Sequence, residues 1–316
     1  MTNIDMTEEE LNKFLGYCRE CVRQTEHVTE SSTNEFLTSV KTIVFAGLVS
    51  YYGPDKFNDI YMAFLKTKFV VCDETISQLL MNKYNFDEKS VLKLSEHCPG
   101  VFYNAVAFKN QKSNKYQIKR TIYVSKFMAS SSILIPSFVH QMNHILNSIN
   151  NPIVNKRNIG LGSRMGVAFD SFISRSCDSL GLEEAFNKLQ SEEVMDRIVE
   201  FSFYDITVPG VSEILNSIFH GVSFEEKSED DLITKIARPL YKDDEFNKVL
   251  VDRRFTGRLA GIREEFDSKV GEGSYVEFLS ICDKLSNPSD DVTKDSDDAK
   301  LLVKKYLDKS NNNWII

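Results

Sequence analysis

The segment from Ser131 to Ile149 constrains the fold most. Ile133, Leu134, Phe138, Val139, Met142, Ile145, Leu146 and Ile149 recur at helical spacing, and Pro136 falls where a first helical turn tolerates it. A helix this apolar has to be buried. Yet it carries His140 and His144, two of the five histidines in the chain. Four residues apart, they lie one turn apart on a single face. Buried imidazoles need partners, and this spacing lets each give one nitrogen to a single metal ion. For an arbitrary HxxxH the plainer account is a pair of core histidines, so the surroundings must decide.

Upstream, Val101 to Phe108 (VFYNAVAF) and Tyr116 to Val124 (YQIKRTIYV) are rich in β-branched and aromatic residues. The polar run Lys109 to Lys115 joins them, which predicts a β-hairpin. The first hundred residues read as helix. Thr7-Glu8-Glu9-Glu10 is a capping box before Leu11, Phe14, Leu15, Cys18 and Val22. Ser32 or Thr33 is expected to cap a second helix through Phe36, Val40, Ile43 and Val44, broken at Gly53-Pro54. Phe57, Ile60, Tyr61 and Phe64 predict a third, and Asp73 and Asp87 would cap two short helices ahead of Pro99-Gly100.

Downstream, Asn150 to Leu180 is Gly-, Ser- and Asn-rich. It reads as a long connection with a short hairpin around Gly160 to Ala168, and such connections are often functional. Leu182 to Phe201 is an amphipathic helix. Further helices are expected at Val211–Phe219, Asp231–Leu240, Phe246–Val251, Leu259–Phe266 and Tyr275–Leu285. Ser286 to Asp298 reads as an acidic surface loop before a last helix. The expected fold is α+β and predominantly helical: a small antiparallel sheet on the metal helix, then a helical C-terminal lobe. The segments are 1–98, helical; 99–205, the core with the metal site; and 206–316, the lobe.

The 316 residues suffice for real hydrophobic cores, with 42% hydrophobic and 27% charged residues. A net charge of -8 argues against a general nucleic-acid binder, which needs a basic face. No stretch reaches the roughly 18 apolar residues of a membrane span. The acidic opening MTNIDMTEEELNKF lacks the pattern of a secretory signal, so a cytoplasmic protein is expected. The six cysteines follow no disulfide pattern and read as free thiols.

His140-Gln141-Met142-Asn143-His144 resembles the HExxH helix of the gluzincin branch of zinc metallopeptidases. In Gly181-Leu182-Glu183-Glu184-Ala185-Phe186-Asn187, a Glu before a small residue is similar to that family's third-ligand segment. The resemblance implies Zn2+ on His140, His144 and Glu184, with Glu183 as the competing third ligand. It also implies a zincin-like core and a peptide or protein substrate laid along an edge strand at Asn104 and Ala105. Backbone strand addition of that kind tolerates many side chains. Gln141 departs from the pattern, because it stands where the family places its general-base glutamate and has no basic oxygen at neutral pH. The chain is therefore either a natural pseudo-peptidase or an enzyme carrying a Glu→Gln substitution. Two other readings stay open: a non-catalytic peptide-binding or protein-binding module on the same scaffold, and a helical binding protein whose HxxxH is core.

Tyr204, His220, Tyr241, Arg253 and Arg254 are candidates for an oxyanion-stabilising group, each with a structural or solvated alternative. Asn143 is expected to face away from the metal and hold a strand or loop. Cys18-Arg19-Glu20-Cys21 is a lone CxxC on a helix and reads as core. His97 is expected near a helix C-terminus. His27 has no partner pattern. Glu225 to Asp231 reads as a solvated loop into a capped helix.

Overall fold

The computed structural model describes residues 6–29, 34–84, 100–109, 116–126, 134–148, 153–156, 160–165, 168–171, 177–178, 180–221, 231–256, 260–286 and 292–311. It is mostly helical with two small sheets. Two compact units divide the chain: Met1–Asn143 with Ser191–Glu225, and His144–Gln190 with Glu226–Ile316.

In the first unit, α1 (Glu8–Thr29) opens on the expected capping box. Glu10 N–H donates to Thr7 Oγ1 at 3.3 Å, and Thr7 N–H donates to Glu10 Oε2 at 2.8 Å. Next, α2 (Glu35–Tyr52) is buried along nearly its whole length from Leu37 to Val49, which marks it as a central helix rather than a surface one. Its cap is Asn34, which accepts from Leu37 N–H at 3.1 Å, not Ser32 or Thr33, which lie outside the described residues. Gly53, at φ 88°, ends the helix as expected, and a 3-10 turn at Pro54–Lys56 leads into α3 (Phe57–Leu65).

A strand follows that the sequence reading missed. β1 (Thr67–Cys72, TKFVVC) precedes α4 (Ile76–Tyr84). The expected cap Asp73 is replaced by Thr75, because Gln78 three residues on completes a reciprocal box: Gln78 N–H to Thr75 Oγ1 at 3.2 Å and Thr75 N–H to Gln78 Oε1 at 3.1 Å. Asp87, Pro99 and His97 lie outside the described residues.

The expected hairpin forms as β2 (Val101–Lys109) and β3 (Tyr116–Ser125), in register from Val101 opposite Val124 to Lys109 opposite Tyr116. The sheet is mixed rather than antiparallel, because β1 pairs parallel to β3 in the order β1-β3-β2. Alternation sends Val70, Phe102 and Tyr123 towards Ile76, Leu79 and Leu80 of α4. On the other face, the Phe69 ring stacks on Phe138 of α5 (Leu134–Leu146) at 5.6 Å. The predicted metal helix is therefore anchored on the sheet through its apolar side. Fully burying a side chain such as Phe138 contributes about 1.5–3 kcal/mol.

Asn150 to Leu180 is not a bare connection. Within it β4 (Ile153–Lys156), β5 (Gly160–Met165), β6 (Ala168–Ser171) and β7 (Cys177–Asp178) form an antiparallel meander, whose β5–β6 pair is the expected hairpin. Next come α6 (Leu180–Phe201), α7 (Val211–Gly221), α8 (Leu232–Tyr241), α9 (Asp244–Thr256), α10 (Ala260–Val270), α11 (Ser274–Ser286) and α12 (Val292–Asn311). The last helix begins inside the segment expected to be an acidic loop. Asp295, Asp297 and Asp298 are helical there, while Ala299, Leu302, Val303 and Tyr306 supply the buried stripe. The second unit's core joins Phe186 of α6 to Phe246, Phe266, Phe278 and Tyr306 of the later helices. The unit boundaries fall inside α5, after Asn143, and inside α6, after Gln190.

Candidate metal centre

Helical spacing puts His140, Asn143 and His144 on one face of α5, with Asn147 in the turn directly after Leu146, opposite the apolar face that meets the sheet. Most of that polar face is nonetheless buried. Asn143, His144 and Asn147 are buried, and so are Glu183, Asn187, Gln190 and Ser191 on α6. Side chains of these types are mostly found exposed. Burying such side chains is costly unless they find partners.

His140, His144 and Glu184 converge. One ligand atom from each lies within 4.8 Å of the other two. His144 Nε2 and Glu184 Oε1 are 3.2 Å apart. Bonds of roughly 2 Å in tetrahedral geometry set neighbouring donors about 3.3 Å apart, so this separation suits two ligands of one ion. Two imidazoles and a carboxylate are a catalytic zinc donor set, which leaves a coordination position for water or substrate. Burial differs across the three: His144 is buried, His140 is half-buried, and the Glu184 side chain is 41% exposed.

The choice between the two glutamates rests on the helical turn. Residues adjacent in a helix point about 100° apart. Glu184 points to His144, whereas Glu183 is fully buried and accepts from Asn147 Nδ2 at 3.3 Å. Asn143 does not hold a strand or loop. It accepts from Tyr52 Oη of α2 at 3.0 Å and donates through Nδ2 to Ser191 Oγ of α6 at 3.1 Å, so it ties helices. Sequence reasoning passed over the roles of Asn147, Glu183 and Ser191. The signal for Asn147 was present: it follows His144 by three and Asn143 by four.

Gln141 is buried on α5 one residue after His140. Asn104 and Ala105 are half-buried in β2, opposite Thr121 and Arg120, and β2 is an edge of its sheet among the described strands. The other candidates are scattered. Tyr204 is half-buried in the turn after α6, and Tyr241 is in the second unit's core. His220 lies in α7 and Arg253 and Arg254 in α9, with side chains outside the described set. Cys18 and Cys21 are free, buried thiols on α1, as a core reading requires. Burial pushes the Cys18 thiol well above its usual range. Asp231 caps α8 by accepting from Thr234 N–H at 2.8 Å.

A groove of about 770 Å³ in the first unit is floored by Phe36, Val40, Leu134, Ile135, Ile214 and Ile218. Its lining includes none of the predicted site residues. No helix among the described residues is long and apolar enough to cross a membrane. No protein family, curated protein or solved structure matches the chain.

Proposed function

We propose that the chain is a gluzincin-type zinc protein with a zincin-like core, binding Zn2+ through His140, His144 and Glu184 and engaging peptide substrate. The observation that carries this reading is the convergence of those three donors. A zinc ion bound there supplies Lewis acidity towards a peptide carbonyl. The chain's own residues divide the remaining work. His140 and His144 hold their spacing because α5 is clamped on the sheet. The exposed side of Glu184 leaves an approach for substrate. An extended peptide adds to β2 by backbone hydrogen bonds at Asn104 and Ala105.

Gln141 decides between turnover and binding. Its carboxamide orients a water by hydrogen bonding but takes no proton at neutral pH. Loss of general-base action costs about 10²–10⁴ in rate. Gln141 therefore favours capture of peptide over its hydrolysis. Gln141→Glu is expected to produce chelator-sensitive cleavage in a broad peptide library. If it yields none while binding zinc, the peptidase reading fails and a peptide-binding role on the same scaffold is left.

A further inference from the structure

We infer that Asn147 is a positioning residue of the metal centre: its hydrogen bond to Glu183 sets the register at which α6 presents Glu184 to His144. The inference rests on the zinc reading above. It concerns two residues outside the proposed ligand set.

Three links join α5 to α6. Asn143 bonds Ser191 at 3.1 Å, His144 meets Glu184 at 3.2 Å, and Asn147 bonds Glu183 at 3.3 Å. As the contact moves forward along α5 it moves back along α6, as antiparallel helices require. The outer two links involve groups that are 0–1% exposed on one side or both: Asn143 at 0%, Asn147 at 1% and Glu183 at 0%. A buried carboxylate cannot simply turn to solvent, because losing its hydrogen bonds to polar groups is costly. Glu183 is therefore a fixed point on α6.

The Glu184 side chain is 41% exposed, so its position depends on where α6 places its backbone. That backbone adjoins the fixed point. Rotating or sliding α6 enough to withdraw Glu184 would break Asn147–Glu183. The register sets where α6 presents the carboxylate.

The test uses the full chain with Asn147→Ala and with Glu183→Gln, the variant that keeps the acceptor oxygen. Zinc affinity is measured by competition with a chelator. The Co2+ spectrum reports coordination, and circular dichroism reports folding. Asn147→Ala is expected to weaken zinc about 10–100-fold, the usual effect of removing a group that orients a ligand, and to alter the Co2+ spectrum. Glu183→Gln should stay within about threefold of the wild type, because the bond survives. A folded Asn147→Ala with unchanged affinity and spectrum would overturn the inference. If Asn147→Ala does not fold, Asn147→Ser, which keeps a donor of shorter reach, replaces it under the same criteria. If the wild type binds no zinc, the zinc reading fails and crystal structures of the metal-free proteins decide the positioning separately. Asn147→Ala should carry Glu184 Oε1 beyond about 4 Å from His144 Nε2, too far apart to share one ion through bonds of roughly 2 Å. Retention of the 3.2 Å contact would refute the register role.

Discussion

Lys41 and Glu26 form an ion pair with both side chains 0% exposed, whereas His144, at 6%, meets a Glu184 side chain that is 41% exposed. The first pair is closed on every side. Thr38 Oγ1 donates to Glu26 at 2.8 Å, and the Lys41 ammonium lies 4.9 Å from the centre of the Phe69 ring. One positive and one negative charge neutralise each other where no ligand can enter. The second group has one open side, and its donors outnumber what a simple ion pair needs. The sealed, balanced pair has no room for a ligand, while the exposed carboxylate of the second group is reachable from outside. Burial of charge alone does not separate the two; the opening does.

The contrast breaks most visibly at the sealed pair. Lys41→Met leaves Glu26 uncompensated and should cost about 3–5 kcal/mol in urea unfolding. Adding Glu26→Leu should recover most of that loss. A double variant less stable than Lys41→Met would show that the pair's charges are not the issue.

At the open site the stabilisation should depend on metal. Zinc at 100 times its Kd is expected to raise unfolding free energy by about 2.7 kcal/mol, with none of that gain in His140→Ala. An equal gain in the variant would place the ion elsewhere.

Asp267 gives a smaller, pH-dependent effect in the second unit. Burial pushes its carboxyl up, but N–H donors of Tyr275, at 2.8 Å, and Gly273 outweigh this and hold it below the usual range. Its contribution is full above the unfolded carboxyl pKa of about 3.9 and is lost as pH falls through the depressed folded value. Asp267→Ala should cost about 1 kcal/mol at neutral pH and flatten the acid limb of stability. An unchanged acid limb would remove the carboxylate from that role.

The smallest effect is expected at Lys13–Glu9, where the side chains are 73% and 78% exposed. Lys13→Ala should change stability by less than about 0.5 kcal/mol. A larger loss would undo the ordering by burial on which the comparison rests.

Local signals made much of the fold legible. The Thr7–Glu10 box, the Gly53 stop, the β2–β3 hairpin and the α5 periodicity each depend on residues close in sequence. What was missed depends on partners far away. β1 is a six-residue strand recognisable only once β3 lies beside it. The β4–β7 meander has a polar, glycine-rich composition that reads as loop until its strands pair. The site divides the same way. His140 and His144 follow from spacing on one helix. That Glu184 and not Glu183 faces His144 follows from the rotation of α6, to which Asn143 and Asn147 are bonded from another part of the chain. The polar face of α5 could have been read further, since Asn143 and Asn147 continue the histidines' own spacing.

The most direct test of the central claim is the zinc content of purified protein under metal-replete conditions, measured for the wild type, Glu184→Ala and Glu183→Gln. The account predicts about one zinc per chain in the wild type and in Glu183→Gln, with loss of the tightly bound ion in Glu184→Ala. A wild-type chain that holds no zinc, or one whose zinc is untouched by Glu184→Ala, would contradict it.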